Sequence, residues 1–137
     1  MEREFKDIVK VLREAKRRKF IRDFALTGAL ALSALSQPRA TRDIDILISL
    51  EKEKIKRFVE WLKYSKEYKL AKHHAGRPKD RIKNLIEVPA GSTWADLIVA
   101  SSTVEEEAIS TGLSVSAFTG VKLKVVRPEY LIILKLL

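Results

Sequence analysis

Apolar side chains recur along this chain with two different periods, and the switches between them divide it into elements. Phe5, Ile8, Val9 and Leu12 fall at i, i+3, i+4 and i+7, the spacing of one helical face, which predicts an amphipathic helix over residues 3–18. Lys16-Arg17-Arg18-Lys19 closes it, with cations at the negative pole of the helix dipole. Phe20 to Leu26 reads as a strand ending at Thr27-Gly28. Residues 29–36 read as a short helix of small residues, stopped at the Gln37-Pro38 step. Asp43 to Leu50 (DIDILISL) reads as a buried central strand. Ile55, Phe58, Val59 and Leu62 repeat the helical spacing and predict a second long helix over 51–66.

Residues 70–83 contain Gly76 and Pro78, are strongly basic, and are expected to form an exposed loop. Strands follow near 84–89 and 93–100, joined through Ala90-Gly91-Ser92. The acidic run Glu105-Glu106-Glu107 precedes strands near 113–118 and 121–126, which turn at Thr119-Gly120. Pro128 suits the first turn of a last helix that carries Tyr130, Leu131 and Leu134. The order α-β-α-β-α-β-β-β-β-α predicts one α+β domain over residues 1–137. Its centre is a mixed sheet of about five or six strands, with helices mainly on one face.

Composition narrows the class. With 46% hydrophobic and 33% charged residues, the chain is globular rather than disordered. Cysteine is absent, which excludes disulfides and thiolate chemistry. The apolar runs are too short for a membrane span and the N-terminus is charged from Glu2 onward, so a cytoplasmic protein is expected. Asn84 and Gln37 are the sole side-chain amides, a pattern that leans toward a thermophile. The net charge of +9 is uneven: residues 1–83 hold 23 basic and 12 acidic residues, and residues 84–137 hold 4 and 6. A field of that sign draws phosphate-rich partners such as nucleotides, tRNA or other nucleic acid. Solvated helix faces would give the same count.

Candidate chemistry concentrates at Asp43-Ile44-Asp45. Alternation on a strand puts Asp43 and Asp45 on one side and Ile44, Ile46 and Ile48 on the other. Two carboxylates about 6–7 Å apart on one strand face suit a hard cation, and Mg²⁺ takes one or two carboxylates together with substrate phosphates. A lone Asp-x-Asp would more often cap a loop. Gly28, between a strand and a short helix, adds a second feature. Backbone N–H groups at such a junction bind phosphate, and glycine permits close approach.

Taken together, Leu26 to Ile48 (LTGALALSALSQPRATRDIDILI) resembles the nucleotidyltransferase superfamily of polymerase β-like proteins, nearest to the AbiEii/AbiGii toxin-type branch. That resemblance rests on Gly28, Ala29, Asp43 and Asp45, with Ala29 standing where Gly or Ser is usual. It extends to the run Arg39, Thr41, Asp43 and Asp45. The resemblance implies Asp96, an isolated charge within TWADLIV, as a third carboxylate and metal ligand, with Glu87 as the fallback. It implies phosphate contacts from Thr27, Gly28, Ala29, Arg39, Thr41 and Lys135. The implied cofactor is Mg²⁺ (or Mn²⁺). The implied reaction is transfer of a nucleoside monophosphate from an NTP to a hydroxyl of an RNA or tRNA end or of a protein.

So small a site leaves room for a partner protein or a homo-oligomer to complete it, and the resemblance to the toxin-type branch implies a toxin–antitoxin context. The competing expectation is a catalytically inactive domain of this fold that binds RNA or a protein. Arg77-Pro78-Lys79-Asp80 is assigned to the basic loop with no role of its own. His73 and His74 are expected to be solvated loop residues, Trp61 and Trp94 core residues, and Tyr64 and Tyr68 residues of a helix edge.

Overall fold

A computed structural model describes residues 2–28, 30–31, 43–117 and 120–136, with Asp43 and Ala117 described through their backbones. Helix α1 spans Glu2–Arg17, close to expectation, and buries Phe5, Ile8, Val9, Leu12 and Ala15. It ends in a left-handed residue, Lys19 at φ 63°. The Phe20 N–H donates to the Ala15 carbonyl and the Lys19 N–H to that of Lys16. This is a Schellman closure, built on lysine where glycine is usual. Phe20 therefore leaves the helix at a sharp angle and does not enter a strand. Its ring stacks on Trp61 with centroids 4.7 Å apart, and strand β1 starts later, at Asp23–Thr27.

Strand β2 is Asp43–Ser49. A 3-10 turn at Lys52–Lys54 leads into helix α2, Ile55–Tyr64. Strands β3 (Lys72–Ala75), β4 (Asn84–Ala90) and β5 (Thr93–Val99) follow. Helix α3 is Thr103–Ser110, strands β6 and β7 are Leu113–Ala117 and Val121–Val125, and helix α4 is Pro128–Leu136. The sheet has seven strands in the order β3-β4-β5-β2-β1-β7-β6. Neighbours are antiparallel except for the parallel pairs β2–β5 and β1–β7.

Two elements differ from expectation in kind. Residues 72–75 form an edge strand rather than loop, which raises the strand count from five or six to seven. All four of its residues are exposed, so no apolar alternation marks it; backbone pairing with β4 alone defines it. The second is α3, hidden in the acidic run. Its start is a capping box: Ser102 Oγ accepts from the Glu105 N–H at 3.2 Å, and Glu105 Oε1 accepts from Ser101 N and from both serine hydroxyls. The helix expected over 29–36 lies mostly outside the described residues.

Register separates the two faces of the sheet. On one, Leu26, Ile46, Leu97 and Ile86 stand side by side across four strands, with Val125 beyond Leu26. All five are fully buried, and the apolar stripes of α1 and α2 join them in one core. Helix α3 packs on the opposite face, where Ser49 Oγ donates to Glu106 at 2.8 Å, and α4 contacts α3. Helices therefore cover both faces, one fully and the other in part, rather than mainly one. At one corner of the partly covered face, Asp23 accepts from Lys16 at 3.0 Å and from Lys124. Burial works against ionisation of that carboxyl and is outweighed by the Lys124, Lys16 and Phe24 N–H hydrogen bonds, so it titrates below the ordinary range.

Candidate active site

The partly covered face carries a polar row. Thr27 of β1 pairs with Asp45 of β2, Asp45 with Asp96 of β5, Asp96 with Glu87 of β4, and Glu87 with Lys72 of β3. Paired residues on adjacent strands share a face and stand about 5 Å apart. Asp45 and Asp96 thus arrive as neighbours although 51 positions separate them in sequence. Parallel pairing of β2 with β5 does this, and that register follows from aligning Ile44, Ile46 and Ile48 with Ala95, Leu97 and Val99 on the buried face. A slip of one residue in either strand would turn that strand's carboxylate into the core.

Gly28 stands immediately after Thr27 with φ +70°, a conformation natural to glycine. A Cβ placed there would overlap Asp45 Oδ2 and lie 3.0 Å from the Asp45 Cβ. The glycine turn and the Asp45 carboxylate are therefore in direct contact, and a larger residue would displace the carboxylate.

Thr27, Gly28, Asp45 and Asp96 line one end of a cleft of about 930 Å³, within the roughly 300–1,000 Å³ span of small-molecule sites. Leu47, Ile98 and Leu85 form part of its floor, and Ser101, Ser102 and Glu105 belong to the wall beside α3. Helix α4 contributes Leu131, Ile132 and Lys135. The remaining wall is the loop between β3 and β4, with Lys79, Asp80, Arg81 and Lys83. Internal bonds hold that loop in shape. The Gly76 N–H donates to the Lys83 carbonyl at 2.7 Å, the Arg77 N–H to Asp80 Oδ2 at 2.7 Å, and Lys83 Nζ to the carbonyls of Pro78 and Asp80. Arg81 crosses the cleft and donates to the Leu134 carbonyl of α4 at 2.9 Å.

Of the residues singled out in the sequence, the structure brings Thr27, Gly28, Asp45, Asp96 and Lys135 to this cleft. Asp43 opens β2 two residues before Asp45, paired with Trp94; its side chain lies outside the described residues, as do Ala29, Arg39 and Thr41. Glu87 shares the polar row, but its Oε1 lies 3.7 Å from His74 Nε2. Among the described residues, no three His, Asp or Glu side chains gather into a metal cluster.

Other placements depart from expectation. The basic string around Lys79 is exposed loop as expected, and it departs from expectation only in lining the cleft. His73 and His74 sit on β3; they are exposed, yet His73 Nε2 is 2.8 Å from Asn84 Oδ1. Trp61 is core, but Trp94 is 49% exposed. Tyr64 is exposed at the end of α2, and Tyr68 is half-buried beyond it, where burial raises its hydroxyl pKa. Among the described residues no helix is long and apolar enough to cross a membrane.

No protein-family model matches the chain, and no curated protein matches it in sequence. Solved structures match in fold. A Thermotoga maritima protein described as a candidate nucleotidyltransferase aligns with 94% of this chain and 83% of its own, at 15% identity and a TM-score of 0.55. An antigenic nucleotidyltransferase-like protein of Paracoccidioides brasiliensis aligns with 94% of this chain at 20% identity and a TM-score of 0.54. The antibiotic-resistance factor ANT(2'')-Ia aligns with 93% of it at 21% identity and a TM-score of 0.54. The alignments cover 63% and 66% of the latter two proteins. At these identities the likeness is one of fold: a nucleotidyltransferase-like mixed sheet with flanking helices.

Proposed function

We propose that this protein is a Mg²⁺- or Mn²⁺-dependent nucleotidyltransferase that moves a nucleoside monophosphate from an NTP to an acceptor hydroxyl. One observation carries the reading. Asp45 and Asp96 stand in register on adjacent parallel strands at the end of a cleft, with a glycine turn packed against Asp45 and basic side chains along the far wall. Hard oxygen donors suit a hard cation, and a carboxylate pair matches a site whose other ligands are substrate phosphates and water. Asp43 is the third ligand in this reading. The metal, when bound, neutralises charge on the phosphate oxygens.

The chain's own residues account for the rest. Backbone N–H groups at the Thr27-Gly28 turn, with Ala29, Arg39 and Thr41 from the adjoining segment, hold the triphosphate tail. Lys135 and the cations of the β3–β4 loop offset its charge from the opposite wall. Asp96 accepts the proton of the acceptor hydroxyl. The hydroxyl oxygen then bonds to the α-phosphorus as the bond to the bridging oxygen breaks, and pyrophosphate leaves with that electron pair. Positioning and fixed charge supply the rate, as in other phosphoryl transfers.

The test is transfer from α-labelled NTPs to total RNA and to protein acceptors. Asp45→Asn and Asp96→Asn should each lower transfer at least about a hundredfold with circular dichroism and melting temperature unchanged. Full activity in both variants would overturn the assignment.

A further inference from the structure

Behind the row of Asp45, Asp96 and Glu87 lies a second row on the same face of the sheet. It is Leu47, Ile98 and Leu85, two residues along each strand and again register partners. This row is apolar and stands about 7 Å from the first. Leu131 and Ile132 of α4 add further apolar lining. A slot of this kind beyond a carboxylate pair suits the flat ring of a nucleotide whose phosphates stay with the carboxylates.

Past the end of β5 the wall of the cleft holds Glu105, which is only 8% exposed although it is a carboxylate. Its Oε1 accepts from the Ser101 N–H at 2.9 Å and from the Ser101 and Ser102 hydroxyls at 3.1 Å each. These bonds complete the cap of α3 and occupy one oxygen. Oε2 has no donor among the described residues, and none of their side-chain polar atoms is sealed from solvent without a partner. Because Glu105 lines the cleft, Oε2 opens into it. A largely buried carboxylate oxygen without a donor is costly, and a ligand N–H removes that cost.

The adjoining hydroxyls have the same polarity. Both direct their protons to Oε1, so a ligand meets oxygen lone pairs. Ser102 Oγ already accepts from the Glu105 N–H, which leaves Ser101 Oγ as a second acceptor beside the carboxylate. A wall made of acceptors selects a base edge with adjacent donors. Guanine has one, N1–H next to the N2 amino group. Adenine and cytosine place an acceptor nitrogen beside their amino group, and uracil flanks its one edge N–H with carbonyls.

We propose that Glu105 selects the nucleotide: Glu105 Oε2 and Ser101 Oγ accept from guanine N1–H and its N2 amino group, which makes the NTP a GTP. The ring lies over Leu47, Ile98 and Leu85, and the phosphates stay at the Asp45–Asp96 end. This rests on the nucleotidyltransferase reading and adds to it the base and the residue that reads it.

Calorimetry with Mg²⁺ and GTP, ITP, ATP, CTP or UTP tests it without any turnover. The unsubstituted protein should bind GTP about tenfold or more tighter than ATP, CTP or UTP. ITP keeps N1–H but lacks the amino group, and should lose most of that advantage. Glu105→Gln retains an oxygen for the helix cap and turns an amide N–H toward the cleft. GTP and ITP should then bind alike, with the melting temperature unchanged. A purely structural role for Glu105 would leave their affinity ratio as it was. GTP bound no tighter than the other NTPs, or a GTP preference that survives Glu105→Gln, overturns the proposal and leaves the nucleotidyltransferase reading standing. No NTP bound with Mg²⁺ overturns that reading and this proposal with it.

Discussion

The two faces of the central sheet are made by the same strands and obey opposite rules. Asp96 and Leu97 are adjacent in β5, yet Leu97 is fully buried while Asp96 lines an open cleft. Side-chain alternation lets one strand serve both purposes. The apolar face fixes register, because any slip would bury charge and expose leucine. The polar face inherits that register and has its carboxylates aligned by packing on the other side. Stability and chemistry are thus separate properties of alternate residues, linked through the pleat.

Substitutions at adjacent positions break this comparison most strongly. Leu97→Ala should cost about 2–5 kcal/mol of stability through a buried cavity, measured by denaturant unfolding. Asp96→Asn, one residue away, should stay within about 0.5 kcal/mol of the parent. A large destabilisation by Asp96→Asn would mean that the polar face also holds the fold together.

Two glycines sharpen the comparison at smaller amplitude. Gly28 and Gly120 both have positive φ, +70° and +83°, but a Cβ at Gly28 would strike Asp45, and one at Gly120 meets nothing within 4 Å. Gly120→Ala should cost only the conformational strain, about 1–2 kcal/mol. Gly28→Ala should add loss of Mg²⁺-nucleotide affinity, because the Asp45 carboxylate must move. Equal effects of the two on nucleotide affinity would separate the glycine turn from the site.

What the sequence made legible follows the same division. The helical stripe from Phe5 to Leu12 and the alternation of DIDILISL report burial, so α1, β2 and the outward direction of Asp45 could be read directly. Asp96 stood out as a charge in an otherwise apolar strand, and its pairing with Asp45 needed only the parallel register. Elements defined by backbone bonding were hidden. Strand β3 has four exposed side chains and no pattern to read. Helix α3 is short, and only its Ser102-x-x-Glu105 capping box marks it. The basic loop reaches the cleft through the β3–β4 pairing that carries it, which no side-chain pattern marks. Trp94 departs from expectation because composition favours a buried indole, whereas its place on the Asp96 face of β5 leaves it 49% exposed.

The central claim is that Asp45 and Asp96 together hold a cation-bound nucleotide. Calorimetric titration of the four NTPs, with Mg²⁺ and then with the metal chelated, tests it most directly. The account predicts saturable binding of at least one NTP that needs the metal and vanishes in Asp45→Asn and in Asp96→Asn, with both variants folded. Binding that persists in the double variant, or no nucleotide bound by the parent protein with Mg²⁺, would contradict it.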